Sequence, residues 1–207
     1  MTEAQAEPVK QTKASAQILE AAIELFAANG FFGSTVRDVS DKAEVTPMTV
    51  YRLFKTKEKL FEMALKAAIA RSGGQTQFLQ TIFDHKESGN VRSFVTAAVR
   101  HWYESFHEQP ARLMMYAYLS GNEEWRRLAY EPLEKVIKAL AVTLAEGIDK
   151  KVKRRPKVAA AARTLILSLF QFKITHPTIK SPREERATVN DILDQWWMGI
   201  FPGTRRA

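Results

Sequence analysis

"TPMTVYRLF", Thr46–Phe54, reads as a short helix with a definite start. Thr46 is the kind of residue that caps a helix by accepting from a backbone N–H of the first turn. Pro47 stands at the first helical position, where a missing N–H costs nothing. Val50, Leu53 and Phe54 recur at helical spacing and give the segment an inward side. Its first turn carries no charge, although the 207-residue chain has a formal net charge of +8.

The segment just upstream explains that absence. Thr35 opens a second cap in a Thr-x-x-Asp pattern, Val36, Val39 and Ala43 turn inward, and Glu44 and Val45 break the periodicity. Two short helices, Val36–Ala43 and Pro47–Phe54, separated by a three-residue break, have the spacing of a helix-turn-helix, whose second helix enters a major groove N-terminus first. A helix tip at the groove floor needs small or apolar groups that approach base edges and thymine methyls, while cations belong at the flanks, where phosphates run. Pro47, Met48 and Thr49 suit such a tip. The same spacing also occurs in ordinary helical bundles, so geometry alone leaves a purely structural reading open.

Outward from this motif the chain reads as all-α. Ile18, Leu19, Ala22, Ile23 and Phe26 form one stripe of a helix over about 15–29, ended by Gly30. Thr56 opens a fourth helix buried through Leu60, Phe61, Ala64, Leu65 and Ala68, and Gly73-Gly74 marks a domain boundary. Further helices are expected over 75–86, 91–107, 110–120, 123–149, 156–174 and 183–200. The organisation expected is a flexible tail (1–14), a three-helix helix-turn-helix domain joined through a fourth helix (15–72), and a larger helical domain (73–207).

Composition narrows the function. With 45% hydrophobic and 26% charged residues the chain can bury a core. The longest uninterrupted apolar runs fall short of the roughly 18 residues of a bilayer span, the N-terminus lacks a secretory apolar stretch, and there is no cysteine. A cytoplasmic location and no membrane partner are therefore expected. The positive charge does not locate a DNA surface: residues 1–71 hold 10 Lys and Arg against 9 Asp and Glu, and much of the remainder lies in the basic run 149–157.

Enzymatic motifs are missing. His85, His101, His107 and His176 show no metal-binding spacing, and no glycine-rich phosphate loop or nucleophile elbow appears. His101 and Glu104, one turn apart, form at most a polar pair. No catalysis, cofactor or metal is expected. The rival reading to a DNA-binding regulator is a helical protein-interaction adaptor whose basic run meets an acidic partner.

Residues 18–65, "ILEAAIELFAANGFFGSTVRDVSDKAEVTPMTVYRLFKTKEKLFEMAL", closely resemble the N-terminal domain of the tetracycline-repressor (TetR) family of bacterial regulators. The features that match are "ILEAAIELF…NGF", "STVRDVSDKA", "VTPMTVYRLF" and "KEKL". The resemblance implies base contacts from Arg37, Pro47, Met48 and Thr49, and phosphate contacts from Thr35, Tyr51 and Lys57; Arg52 lies on the same outer side as Met48 and joins the phosphate set. Three positions depart from the family pattern. Glu44 stands where glycine is usual in the turn, which demands strain or another conformation; Met48 replaces a frequent glycine and Leu53 a frequent His or Tyr.

The resemblance further implies double-stranded operator DNA of palindromic sequence as partner, a homodimer, and release by a small effector that shifts the fourth helix, with repression as the family tendency. The aromatic and methionine content of the middle helices suggests a largely apolar effector pocket from Phe78, His101, Trp102, Phe106, Met114, Met115, Tyr118 and Phe170. The last two helices offer a dimer interface through Ala162, Leu165, Leu169, Leu193, Trp196 and Trp197.

Overall fold

The computed structural model describes residues 12–72, 78–82, 91–147, 157–175 and 181–200. Among these residues every regular element is helical: α1 (Lys13–Asn29), α2 (Val36–Lys42), α3 (Pro47–Phe54), α4 (Lys57–Ser72), α5 (Val91–Ser105), α6 (Glu108–Leu119), α7 (Glu123–Gly147), α8 (Val158–Thr175) and α9 (Pro182–Ile200), with 78–82 helical as well. The Gly73-Gly74 boundary, the N-terminal tail up to residue 11 and residues 149–156 of the basic run lie outside the described residues.

The caps follow from side-chain chemistry. Thr35 and Asp38 form a capping box in which each side chain accepts from the other's backbone N–H. Thr46 Oγ1 accepts from Thr49 N at 3.3 Å, and Thr56 Oγ1 accepts from Lys59 N at 3.1 Å. A further box, Thr12 with Ser15, starts α1 two residues ahead of the expected 15. Gly30 ends α1 at φ 73°, and a Cβ there would lie 3.0 Å from the Tyr116 ring, so both the backbone and the close approach of α6 require glycine.

The chain divides into two compact units. The first holds the described residues through Arg71 together with Arg112–Ala129. Its core takes Ile18, Ala22, Ile23 and Phe26 from α1, Val36 and Val39 from α2, Val50 and Phe54 from α3, and Leu60, Phe61, Ala64, Leu65 and Ala68 from α4, all buried. Trp125, at the start of α7, closes it: its ring lies 4.5 Å from Phe61 and 4.9 Å from Phe31. The second unit takes in the described residues of Ser72–Ala111 and Tyr130–Ala207. There α9 is tied to α8 by Trp196 Nε1 donating to Ala161 O at 2.9 Å. It is tied to α5 by Trp197 Nε1 donating to Thr96 Oγ1 at 3.2 Å and by the Arg92–Asp194 ion pair at 3.0 Å.

By length and composition α8 is apolar enough to cross a bilayer, with mean hydropathy 1.3 over its 18 residues, which counting uninterrupted apolar runs had missed. Its most apolar stripe, Ala162, Leu165, Ile166, Leu169, Phe170 and Phe172, is buried within the second unit.

Candidate nucleic-acid interface

The break between α2 and α3 is a defined turn. Val45 N donates to Ser40 O at 3.0 Å and Glu44 N to Asp41 O at 3.2 Å, the paired bonds of a Schellman helix end, with Glu44 at φ 54° in the left-handed position. Of the two outcomes open to a non-glycine there, the chain takes the strained one. A second strained residue ends α3: Lys55 has φ 66° and ψ −54°, and Thr56 N donates to Phe54 O at 2.8 Å, closing a tight three-residue turn.

Between these turns α3 has two sides. Val50 and Phe54 are buried and Leu53 is half-buried. Pro47, Met48, Tyr51, Arg52 and Lys55 are exposed along the other side, Met48 at 75% and Tyr51 at 48%. The tip is thus apolar, and Arg52 and Lys55 lie one and two turns behind it without an ion-pair partner among the described residues. Uncommitted cations and an exposed apolar tip are the distribution a groove-reading helix needs.

The other predicted DNA residues are more engaged. Thr49 is half-exposed, and its hydroxyl lies 3.0 Å from that of Thr46, so reading a base requires its rotor to turn outward. Thr35 Oγ1 donates to Asp38 Oδ2 at 2.7 Å, and this bond, with that from Thr35 N, holds the Asp38 carboxyl below its ordinary range. Arg37 is exposed but opposed by Asp41 at 4.0 Å. Lys57 is half-buried, with Nζ 4.3 Å from the centroid of the Phe31 ring, a cation–π perch that sequence reasoning missed because Phe31 lies 26 positions away. Phe31 is itself held edge-on to Phe61 and Trp125.

The residues predicted for the second half divide. Phe78, Trp102, Phe106 and Phe170 are buried in the second unit, where Phe106 lies 5.7 Å from both Trp102 and Phe170. His101 is exposed, and Glu104 pairs with Arg186 at 3.0 Å. Met114, Met115 and Tyr118 fall in the first unit, with Met114 buried, Met115 half-buried and Tyr118 exposed. Of the residues expected at a dimer interface, Ala162, Leu165, Leu169, Leu193 and Trp197 are buried inside their own chain. Trp196 remains half-buried.

A tri-helical core that presents one outward helix behind a Schellman turn defines a helix-turn-helix protein. Residues 18–64 match the model of the bacterial regulatory proteins of the tetR family, so this region is a TetR-family DNA-binding domain. No curated protein matches the sequence. The whole fold is that of solved TetR-type regulators. A TetR-like transcriptional regulator from a Rhodococcus species is similar at TM-score 0.71 and 16% identity, over 95% of this chain and 100% of that one. PfmR, a TetR-family regulator from Thermus thermophilus, is similar at 0.63 and 20%, over 95% and 100%. The transcriptional regulator FadR from Bacillus subtilis, solved with stearoyl-CoA, is similar at 0.61 and 24%, over 90% and 99%.

Proposed function

We propose that the protein is a transcriptional repressor that binds a palindromic operator as a homodimer and is released by a small, largely apolar effector. The observation that carries this reading is the outward side of α3: an exposed apolar tip at Pro47 and Met48, backed by the uncommitted cations Arg52 and Lys55. In this reading Pro47, Met48 and Thr49 lie against base edges with Arg37 beside them. Thr35, Tyr51, Arg52 and Lys57 meet phosphates on either side.

One recognition helix of eight residues covers too little of a site to specify it in a genome, so two copies related by a two-fold axis read successive major grooves about 34–36 Å apart. The pairing surface is taken from the exposed sides of α8 and α9, with Met198, 57% exposed, and half-buried Trp196 as its apolar members. An effector that releases DNA must bind more tightly to the arrangement in which the two recognition helices are wrongly spaced. FadR from Bacillus subtilis holds stearoyl-CoA on a similar fold, which supports an effector that is apolar over much of its length.

Selection of bound duplexes from a random DNA pool tests the proposal. Enrichment of an inverted repeat, with half-sites about one helical turn apart, is the expected result. Recovery of no common sequence, or of a single unrepeated half-site, contradicts it.

A further inference from the structure

One cavity in the second unit belongs to neither the aromatic core nor the DNA-reading surface. It measures about 180 Å³ and is walled by charged groups: Arg100 and Glu104 from α5, Lys173 from α8, and Glu185 and Arg186 from α9, with the Tyr103 ring beneath. At about 30 Å³ per water molecule in the liquid, it has room for roughly six. That is ample for a single phosphate or a short carboxylic acid together with a few waters.

Two of its three cations are already answered. Lys173 Nζ donates to Glu185 Oε1 at 3.0 Å and sits 4.1 Å from the Tyr103 ring centroid, and Arg186 Nε donates to Glu104 Oε1 at 3.0 Å. Tyr103 gives its hydroxyl proton to the same Glu185 oxygen at 2.7 Å and is not free to balance charge elsewhere. Arg100 has no carboxylate partner among the described residues. Its Nη2 donates at 2.7 Å to the neutral amide oxygen of Asn190, and its Nε is buried without a partner, the sole such side-chain atom among the described residues. Three cations thus face two carboxylates. The Arg100 side chain is half-buried, but its Nε–H is withdrawn from water with no acceptor, which leaves a desolvation cost that an anion accepting from it would remove.

We propose that this cavity is a binding site for a small oxyanion, a phosphate or carboxylate, with the Arg100 guanidinium as its counter-ion and Lys173 and Arg186 as flanking donors. The fork of donors on a guanidinium matches the paired oxygens of either group. Arg186, at the solvent edge with 67% of its side chain exposed, can swing from Glu104 to the ligand, whereas Lys173 is held in place.

Thermal unfolding and calorimetric titration of the full chain with inorganic phosphate, and separately with acetate, test the site when ionic strength is held constant with chloride. Saturable binding with a rise in unfolding temperature beyond that given by chloride is expected for at least one of the two; which one responds tells phosphate from carboxylate. Arg100→Gln should weaken that binding about tenfold or more. Asn190→Asp supplies the missing carboxylate from within the chain, so it should raise the unfolding temperature in chloride alone and abolish the response to the oxyanion. This second variant keeps the test meaningful if Arg100→Gln folds poorly. No preference for either oxyanion over chloride, or full binding retained by Asn190→Asp, overturns the proposal.

Discussion

The first unit and the second are both helical, but they are built on different kinds of information. In the first, the starts of α1 to α4 are each decided within four residues by a hydroxyl that accepts a backbone N–H, from Thr12, Thr35, Thr46 and Thr56, and the start of α7 by the Asn122 amide oxygen accepting from Trp125 N. In the second, the helices are joined by contacts between residues far apart in sequence, such as Arg92 with Asp194 and Trp197 with Thr96. Local hydrogen bonds can be read along a chain; the choice of partner across 100 positions cannot. The α6–α7 corner crosses this divide, because Arg112–Ala129 comes from the second half of the chain yet folds with the first unit.

That corner provides the strongest way to break the comparison. Trp125 is buried against Phe31 and Phe61, so Trp125→Ala is expected to cost about 3–5 kcal/mol, as large truncations in well-packed cores do. Hydrogen exchange should accelerate chiefly in α1 and α4. Acceleration confined to α5, α8 and α9 would show that the corner belongs energetically to the second unit.

A smaller effect probes the perch of Lys57. Phe31→Leu removes the ring beneath its ammonium and should weaken DNA binding by about 0.5–2 kcal/mol, equally on every duplex. The loss should vanish in a Lys57→Ala background. Additive losses in the double variant would mean that Phe31 acts through packing alone.

Relief of backbone strain sharpens the contrast further. Glu44 occupies the left-handed position of the α2 end, and a non-glycine there costs about 1–2 kcal/mol, partly offset by the greater freedom of glycine in the unfolded chain. Glu44→Gly is therefore expected to stabilise the first unit by about 1 kcal/mol in denaturant unfolding. No gain would show that the turn is not strained.

The smallest effect is electrostatic. Burial pushes the Glu62 carboxyl up, but hydrogen bonds from Lys66 and Lys59 outweigh it and hold the pKa below the ordinary 4.5. A depressed pKa adds stability that is present above the unfolded value and lost as pH falls through the folded one. The stability curves of the parent and Glu62→Gln should therefore separate above about pH 4 and converge below it. Curves that stay parallel to low pH would deny the pairing.

These contrasts explain what the sequence made legible. The caps of α2, α3 and α4, the inward stripes of the first unit and the side of α3 that carries Met48, Tyr51 and Arg52 were all readable, because each depends on spacing within one or two turns. Glu44 was identifiable as a misfit from its type, though not the sign of the outcome. Periodicity shows that Leu165, Leu169 and Leu193 face something apolar, but not whether that is their own chain or another; the structure buries them in their own chain. The charged cavity was invisible, since Arg100, Lys173 and Arg186 converge only through the packing of α5, α8 and α9.

Thr49→Ala and Tyr51→Phe, compared by equilibrium binding across a panel of duplexes that differ at single base pairs, test the DNA-reading role of α3 most directly. Tyr51→Phe should weaken binding uniformly, as loss of a phosphate contact does. Thr49→Ala should cost about 1–3 kcal/mol on the parent site and little on duplexes already changed at one base pair. The same loss for Thr49→Ala on every duplex would contradict the account.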